Sequence, residues 1–146
     1  MRLLDRRQPV TMEEHERWFA ALGSSPDRLY MAIEENATGE HIGNVWLWAI
    51  DRDDRKAELR IVVGAPGRAG SGAGTEAIRL MSEYALGPLQ LRRVYAHVLS
   101  FNERARKAFA NAGFAPEGVL RADRLTRDGP IDVYVFGRIT GGAERG

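Results

Sequence analysis

From Gly64 to Gly74 the chain reads GAPGRAGSGAG, five glycines in one short stretch. Such density occurs where a backbone turns sharply or where something must approach it closely. The flanking residues supply the context. Ala57 to Val63 reads as a strand running into the loop, and Ala77, Ile78, Met81, Tyr84 and Ala85 recur at helical spacing beyond it. That helix ends near Gly87-Pro88, and Arg93 to Ser100 reads as the next strand. Two strands of one sheet joined through a helix run parallel, with a right-handed crossover. The chain must therefore build a sheet around a parallel pair, with a helix N-terminus opening out of the glycine loop.

The remaining segments add antiparallel strands. Thr11-Met12-Glu13-Glu14 fits a capping box, and His15, Trp18, Phe19 and Leu22 follow at helical spacing up to Gly23. Leu29 to Glu34 and Glu40 to Ile50 read as a hairpin turning at Ala37-Thr38-Gly39, with Trp46 and Trp48 on one face as core aromatics. The charged turn DRDDRK leads into the strand at 57–63. A short helix from Glu103 to Asn111 keeps Ala105, Ala108, Phe109 and Ala112 on one face and stops at Gly113. Two closing strands, Phe114 to Arg124 and Ile131 to Ile139, flank the turn TRDGP, and the tail TGGAERG reads as flexible. The fold expected is a single mixed α/β (α+β) domain over residues 1–146, its sheet mostly antiparallel around one parallel pair.

Composition narrows the function. With 146 residues, one domain can bury a sizeable core without covalent staples. There is no cysteine, so thiolate nucleophiles, thiolate metal sites and disulfides are excluded. His15, His41 and His97 lie far apart with no ligand spacing, so no metal is expected. A net charge of +1 gives no general attraction to nucleic acid, and Arg92, Arg93, Arg104 and Arg106 lack interleaved aromatics. Lys56 and Lys107 are the only lysines, so guanidinium carries nearly all the positive charge, which suits paired contacts to anions. No apolar run reaches membrane-spanning length and residues 1–10 are too charged for a signal peptide, which makes a cytoplasmic protein the expectation.

A glycine loop before a helix directs unpaired backbone N–H groups at one spot where the helix dipole is positive, and phosphate oxygens suit that spot. On the loop alone, a phosphate cradle and a tight connection with no ligand both stand. A P-loop needs Lys and Ser/Thr after its last glycine, but Thr75-Glu76 follow Gly74. A dinucleotide loop needs an acidic residue ending the next strand, and here that strand ends Ser100-Phe101. Neither nucleotide class fits.

A third class does. Gly72-Ala73-Gly74-Thr75-Glu76-Ala77, after a strand beginning Ala57-Glu58, resembles the pyrophosphate loop Q/R-x-x-G-x-G/A of the GNAT superfamily of acetyl-CoA-dependent N-acyltransferases. The segment NERARKAFANAGFAPEG is similar to the family pattern N-x-x-A/S-x(7)-G-F-x-x-E-G, with Asn102, Ala105, Gly113, Phe114, Glu117 and Gly118 falling on it. The closing DGPIDVYVFGRI resembles the last hairpin of members acting on protein N-termini, polyamines and antibiotics. The resemblance covers residues 29–139. It implies that the strands at 57–63 and 93–100 splay apart and admit the pantetheine arm of acetyl-CoA along Ile61, Val62 and Val63. It also implies that Arg68, Ala69, Gly70, Ser71, Gly72, Ala73, Gly74 and Thr75 hold the pyrophosphate, and that Asn102, Arg106 and Phe109 line the cofactor from the short helix.

The sequence departs from that family at three points. Ala69 stands at the Q/R position, with Arg68 one residue early. Phe109 stands where many members carry a tyrosine that protonates the departing thiolate, and a phenyl ring has no proton to give. Ser100 and Tyr134 are the remaining hydroxyl candidates. Finally, residues 1–10 are too short for the family's usual first strand and helix, so a sheet edge is expected to lie open and to be covered by a homodimer partner. The resemblance implies acetyl transfer to a primary amine, either a small polyamine or antibiotic-like amine or a protein N-terminus. Glu58 is the candidate base, the other reading being a solvated strand-end carboxylate paired with Arg60 or Lys56. A non-catalytic acyl-CoA-binding module is the alternative function.

Overall fold

The computed structural model describes residues 28–34, 41–64 and 72–140, together with the backbone of 2–4. The helix expected over 11–22, the turn at 37–39, the loop residues Arg68, Ala69, Gly70 and Ser71, and the tail beyond Thr140 lie outside the described residues. The elements are β1 (Arg2–Leu4), β2 (Leu29–Glu34), β3 (His41–Asp51), β4 (Lys56–Val63), α1 (Ala73–Leu86), β5 (Arg93–Leu99), α2 (Glu103–Asn111), β6 (Ala115–Thr126) and β7 (Gly129–Ile139). They form one sheet in the order β1-β2-β3-β4-β5-β7-β6. Among the described residues, β4 and β5 are parallel as the crossover requires, and the hairpins β2/β3 and β6/β7 are antiparallel.

The expectation that residues 1–10 lack the usual first strand and helix is corrected for the strand. Arg2–Leu4 pairs in parallel with β2 through Arg2↔Ala32 and Leu4↔Ile33. Three residues suffice for a minimal ladder, and residues 5–28 exceed the dozen that a parallel return requires. The outer edge of β2 is thus covered within the chain.

One face of the sheet carries the helices. Val45 and Leu47 of β3 register with Ile61 and Leu59 of β4, and Ala57 registers with Val94 of β5. These side chains pack with Ala77, Ile78, Met81 and Ala85 of α1 in a single core. The alternation puts Tyr30, Trp46, Trp48, Glu58, Arg60, Tyr95 and His97 on the opposite face. Trp46 and Trp48 are therefore not core aromatics. Trp46 stacks on Tyr30 with centroids 5.2 Å apart, and Trp48 lies under the Arg28 and Arg60 guanidinium groups at 5.5 and 5.0 Å. Alternation tells which side chains share a face, but packing against α1 decides which face is interior.

Both helices are bounded as their end residues dictate. Gly72 precedes α1 in the left-handed region with φ 88°, and its carbonyl accepts the first helical bond from Glu76 N–H at 3.0 Å. Asn102 caps α2, its Oδ1 accepting from the Ala105 N–H at 3.0 Å, and Gly113 ends that helix with φ 98°.

Candidate active site

The β4/β5 ladder is short. It pairs Lys56↔Arg93, Ala57↔Val94 and Glu58↔Tyr95, and then stops. On their other edges β4 continues with β3 up to Val63, and β5 with β7 up to Leu99. Beyond Glu58 the two strands thus form a fork, and the inner backbone edge of β4 is unpaired among the described residues. A cavity of about 840 Å³ opens from it, lined on one side by Ile61, Val63, Gly72, Gly74 and Thr75 and on the other by Asn102, Ala108 and Phe109.

The glycines shape this cavity in different ways. Gly72 holds a backbone conformation that a side chain would strain. At Gly74 an added Cβ would sit 3.6 Å from Val63 Cγ2 and 3.9 Å from Ile61 Cδ1, ordinary contacts on the cavity wall. Glycine there is not forced by crowding; it leaves the space above Ile61 and Val63 open. The Gly74 and Thr75 amides belong to the first turn of α1, where the helix itself offers them no carbonyl. Of the residues expected at the cofactor, Ile61, Val63, Gly72, Gly74, Thr75, Asn102 and Phe109 meet at this cavity. Ala73 is instead buried in the core, and Val62 is exposed on the far face. Arg106 turns away, its guanidinium 5.1 Å from the Tyr134 ring.

Glu58 lies at the point where the strands part. It is 8% exposed, so it is not the solvated carboxylate of the alternative reading. Arg60 Nη2 donates to its Oε1 at 3.2 Å, and Arg60 Nε lies 3.2 Å from Oε2. His97 Nδ1 lies 2.9 Å from Oε2, reaching across from β5. Lys56 is elsewhere, 4.0 Å from Asp54. Burial pushes the Glu58 carboxyl up, but the hydrogen bonds from His97 and Arg60 and the Arg60 charge outweigh it and hold its pKa below the ordinary value. Burial, followed by the Glu58 charge, raises the pKa of Tyr95 beside it.

The hydroxyl candidates sit outside the cavity wall. Ser100 follows directly after β5, its amide donating to the Asp132 carbonyl at 3.0 Å. Tyr134 lines a second cavity of about 600 Å³ between α2, β6 and β7. Phe109 is 3% exposed, with Phe114 edge-on at 5.1 Å and Phe136 stacked at 6.2 Å.

Three polar constellations escaped the sequence reading. Glu117 on β6 reaches over β7 to clasp Arg93 on β5 with two hydrogen bonds of 2.7 Å. The carboxylate passes directly over Gly137, where a Cβ would collide with it. Arg138 donates to Ser82 Oγ at 2.8 Å and to the Ala112 carbonyl at 3.2 Å, tying β7 to α1 and to the end of α2. The glutamate and glycine following Phe114 were visible as a pattern, but nothing local indicated an ion pair. The His97–Glu58 contact joins residues 39 apart in sequence and likewise had no local signal.

Comparison with known proteins bears on this geometry. Residues 1–115 match the family model described as an acetyltransferase (GNAT) domain. The chain belongs to the GNAT acetyltransferase family. An uncharacterised N-acetyltransferase of Bacillus subtilis is 30% identical over 118 residues, 81% of this chain and 66% of that protein. The spermidine N(1)-acetyltransferase of Escherichia coli is 35% identical over 82 residues, 56% of this chain and 44% of that protein. This GNAT chain thus spans less than two thirds of these relatives' length. Among solved structures, spermidine N-acetyltransferase from Vibrio cholerae in complex with CoA and spermine superposes with a TM-score of 0.74 at 25% identity, covering 90% of this chain and 76% of that one. A chimeric spermidine N-acetyltransferase built from the Vibrio cholerae enzyme and hSSAT gives 0.75 at 24% identity, covering 93% and 81%, which is a likeness of fold. Among the described residues no helix is long and apolar enough to cross a membrane, and no group of three or more acidic or histidine side chains is placed to hold a metal.

Proposed function

We propose that this GNAT domain moves an acetyl group from acetyl-CoA to a primary amine by direct attack on the thioester. One observation carries the reading: the parallel ladder stops at Glu58, and the gap beyond it leads to the glycine-bounded N-terminus of α1. The unpaired edge of β4 suits an extended pantetheine arm lying as an added strand. The first turn of α1 suits its phosphates.

A primary amine carries an ordinary pKa near 10, so the acceptor arrives protonated and the site must remove a proton before the lone pair can attack. Glu58 stands where the strands part and anchors that function. The C–S bond then breaks and the sulfur leaves as thiolate. A thiol pKa near 8.5 makes it a fair leaving group without an acid in the Phe109 position. Relatives named for spermidine favour a polyamine over an antibiotic-like amine or a protein N-terminus. The reading includes a cytoplasmic homodimer, and the open β6 edge, with Val119, Leu120 and Leu125 exposed, supports its dimeric part. The experiment is release of free thiol from acetyl-CoA in the presence of spermidine, spermine or a peptide amine. Turnover is the expected result. Binding of CoA with no turnover of any amine would instead identify a CoA-binding module, the function that Phe109 leaves open.

A further inference from the structure

We propose that His97 is the general base for the acceptor amine and that Glu58 is its positioning residue. This rests on the acetyl-transfer reading and names the atom that takes the proton. The Glu58 carboxylate is already engaged on both oxygens, with Arg60 at 3.2 Å on each and His97 Nδ1 at 2.9 Å on Oε2. A carboxylate so held is a weak proton acceptor. With Nδ1–H donated to Glu58, the imidazole presents Nε2 as its lone-pair nitrogen, and Nε2 has no partner among the described residues. The Tyr95 ring stands edge-on to the imidazole, with centroids 5.9 Å apart, which fixes the ring plane.

Position agrees with this assignment. Tyr95 is the last β5 residue paired to β4, and His97 is the next side chain on that face, beyond the last rung and on the open side of the fork. The other face carries α1, α2 and the cavity assigned to the cofactor, so an acceptor meeting a thioester in the fork arrives on the face that carries His97. About a third of the His97 side chain is accessible there, against 11% for Glu58. Imidazole is also the side chain suited to proton transfer near neutrality.

The proton balance is complete. His97 Nε2 takes one proton from the ammonium group, and the freed lone pair bonds to the thioester carbon. The C–S bond breaks, its electron pair leaves on sulfur, and the amide nitrogen gives its second proton to that thiolate. The imidazolium, stabilised by the Glu58 carboxylate, releases its proton to water. Among the described residues, the charged and titratable groups on the face of His97 are Glu58 and Arg60 from β4, Tyr95 and Arg93 from its own strand, and Glu117 from β6, which Arg93 holds; β7 presents Val135 and Gly137.

Rates with acetyl-CoA and spermidine across pH, for wild type, His97→Ala and Glu58→Gln, test the assignment. His97→Ala should lower kcat on the order of 10²-fold or more with CoA affinity unchanged, remove the acidic limb of the profile, and recover activity when imidazole is added. Glu58→Gln should keep that limb and lower kcat by less than His97→Ala does, because the imidazole remains but loses the carboxylate that orients it. A limb that survives in His97→Ala and vanishes in Glu58→Gln would overturn the proposal in favour of Glu58 as base, with the acetyl-transfer reading intact. A wild type that turns over no amine would overturn that reading and the base with it. Nitrogen NMR provides a readout without turnover: the proton of neutral His97 should reside on Nδ1, and finding it on Nε2 would reject the dyad.

Discussion

The two edges of β5 are finished differently. Toward β7 the ladder runs the whole strand, from Arg93↔Ile139 to Leu99↔Val133, whereas toward β4 it ends after three pairs at Glu58↔Tyr95. Each edge has a carboxylate reaching across it and a glycine beside it. On the closed side Glu117 clasps Arg93 over Gly137, and on the open side Glu58 holds His97 while Gly74 borders the gap. The chemistry is alike and the purpose is not. Gly137 makes room for a side chain of the protein itself, whereas Gly74 borders room that no described residue fills.

Substituting the two glycines separates these purposes. Gly74→Val should leave the unliganded fold within about 1 kcal/mol of wild type, since a Cβ there meets only ordinary contacts and points to the open cavity. It should erase the stabilisation by CoA, which for wild type at a hundred times the dissociation constant is about 2.7 kcal/mol. Thermal melts with and without CoA provide the measurement, and an undiminished shift in Gly74→Val would remove the fork as the binding site. Gly137→Val should do the reverse. Its side chain displaces the Glu117 carboxylate, destabilising the fold by about 1–3 kcal/mol in denaturant while the CoA shift persists.

A smaller effect separates the carboxylates by pH. The folded-state pKa of Glu58 lies below its ordinary value of 4.5. Its contribution to stability is therefore complete above that value and is lost as pH falls through the folded pKa. The stability gap between wild type and Glu58→Gln should be constant near neutrality and should close below about pH 4.5. Denaturant titrations at a series of pH values would show it, and a gap unchanged into acid would mean that the ion pairs around Glu58 contribute nothing to folding.

The sequence carried the sequential order of the elements well because that order rests on local signals. The α1 apolar spacing, the start of α2 at Glu103 and the Gly113 stop each depend on neighbours within a turn or two, and each lies where it was expected. What depended on register was not legible. Glu58 and His97 meet only because β4 and β5 pair in one register, and Glu117 finds Arg93 only because β7 lies between their strands. The tryptophans show the same limit from the packing side: Trp46 and Trp48 follow the alternation correctly, yet Val45 and Leu47 occupy the interior face. The first strand was missed because three residues have too little pattern to read.

The brief β4/β5 ladder also has a mechanical side. The ribbon β1 to β4 and the ribbon β5 to β7 are each laced along their length, and among the described residues three registered pairs, with the Arg92 and Arg93 amides on the Arg55 carbonyl, make a short backbone seam at one end. Slow opening of the sheet should begin at that seam, so amides along the inner edge of β4 should exchange with solvent sooner than those facing β3. A strand-like ligand laid into the gap would supply the missing stitches. Its binding would then stiffen the middle of the molecule and join two half-sheets into one elastic body.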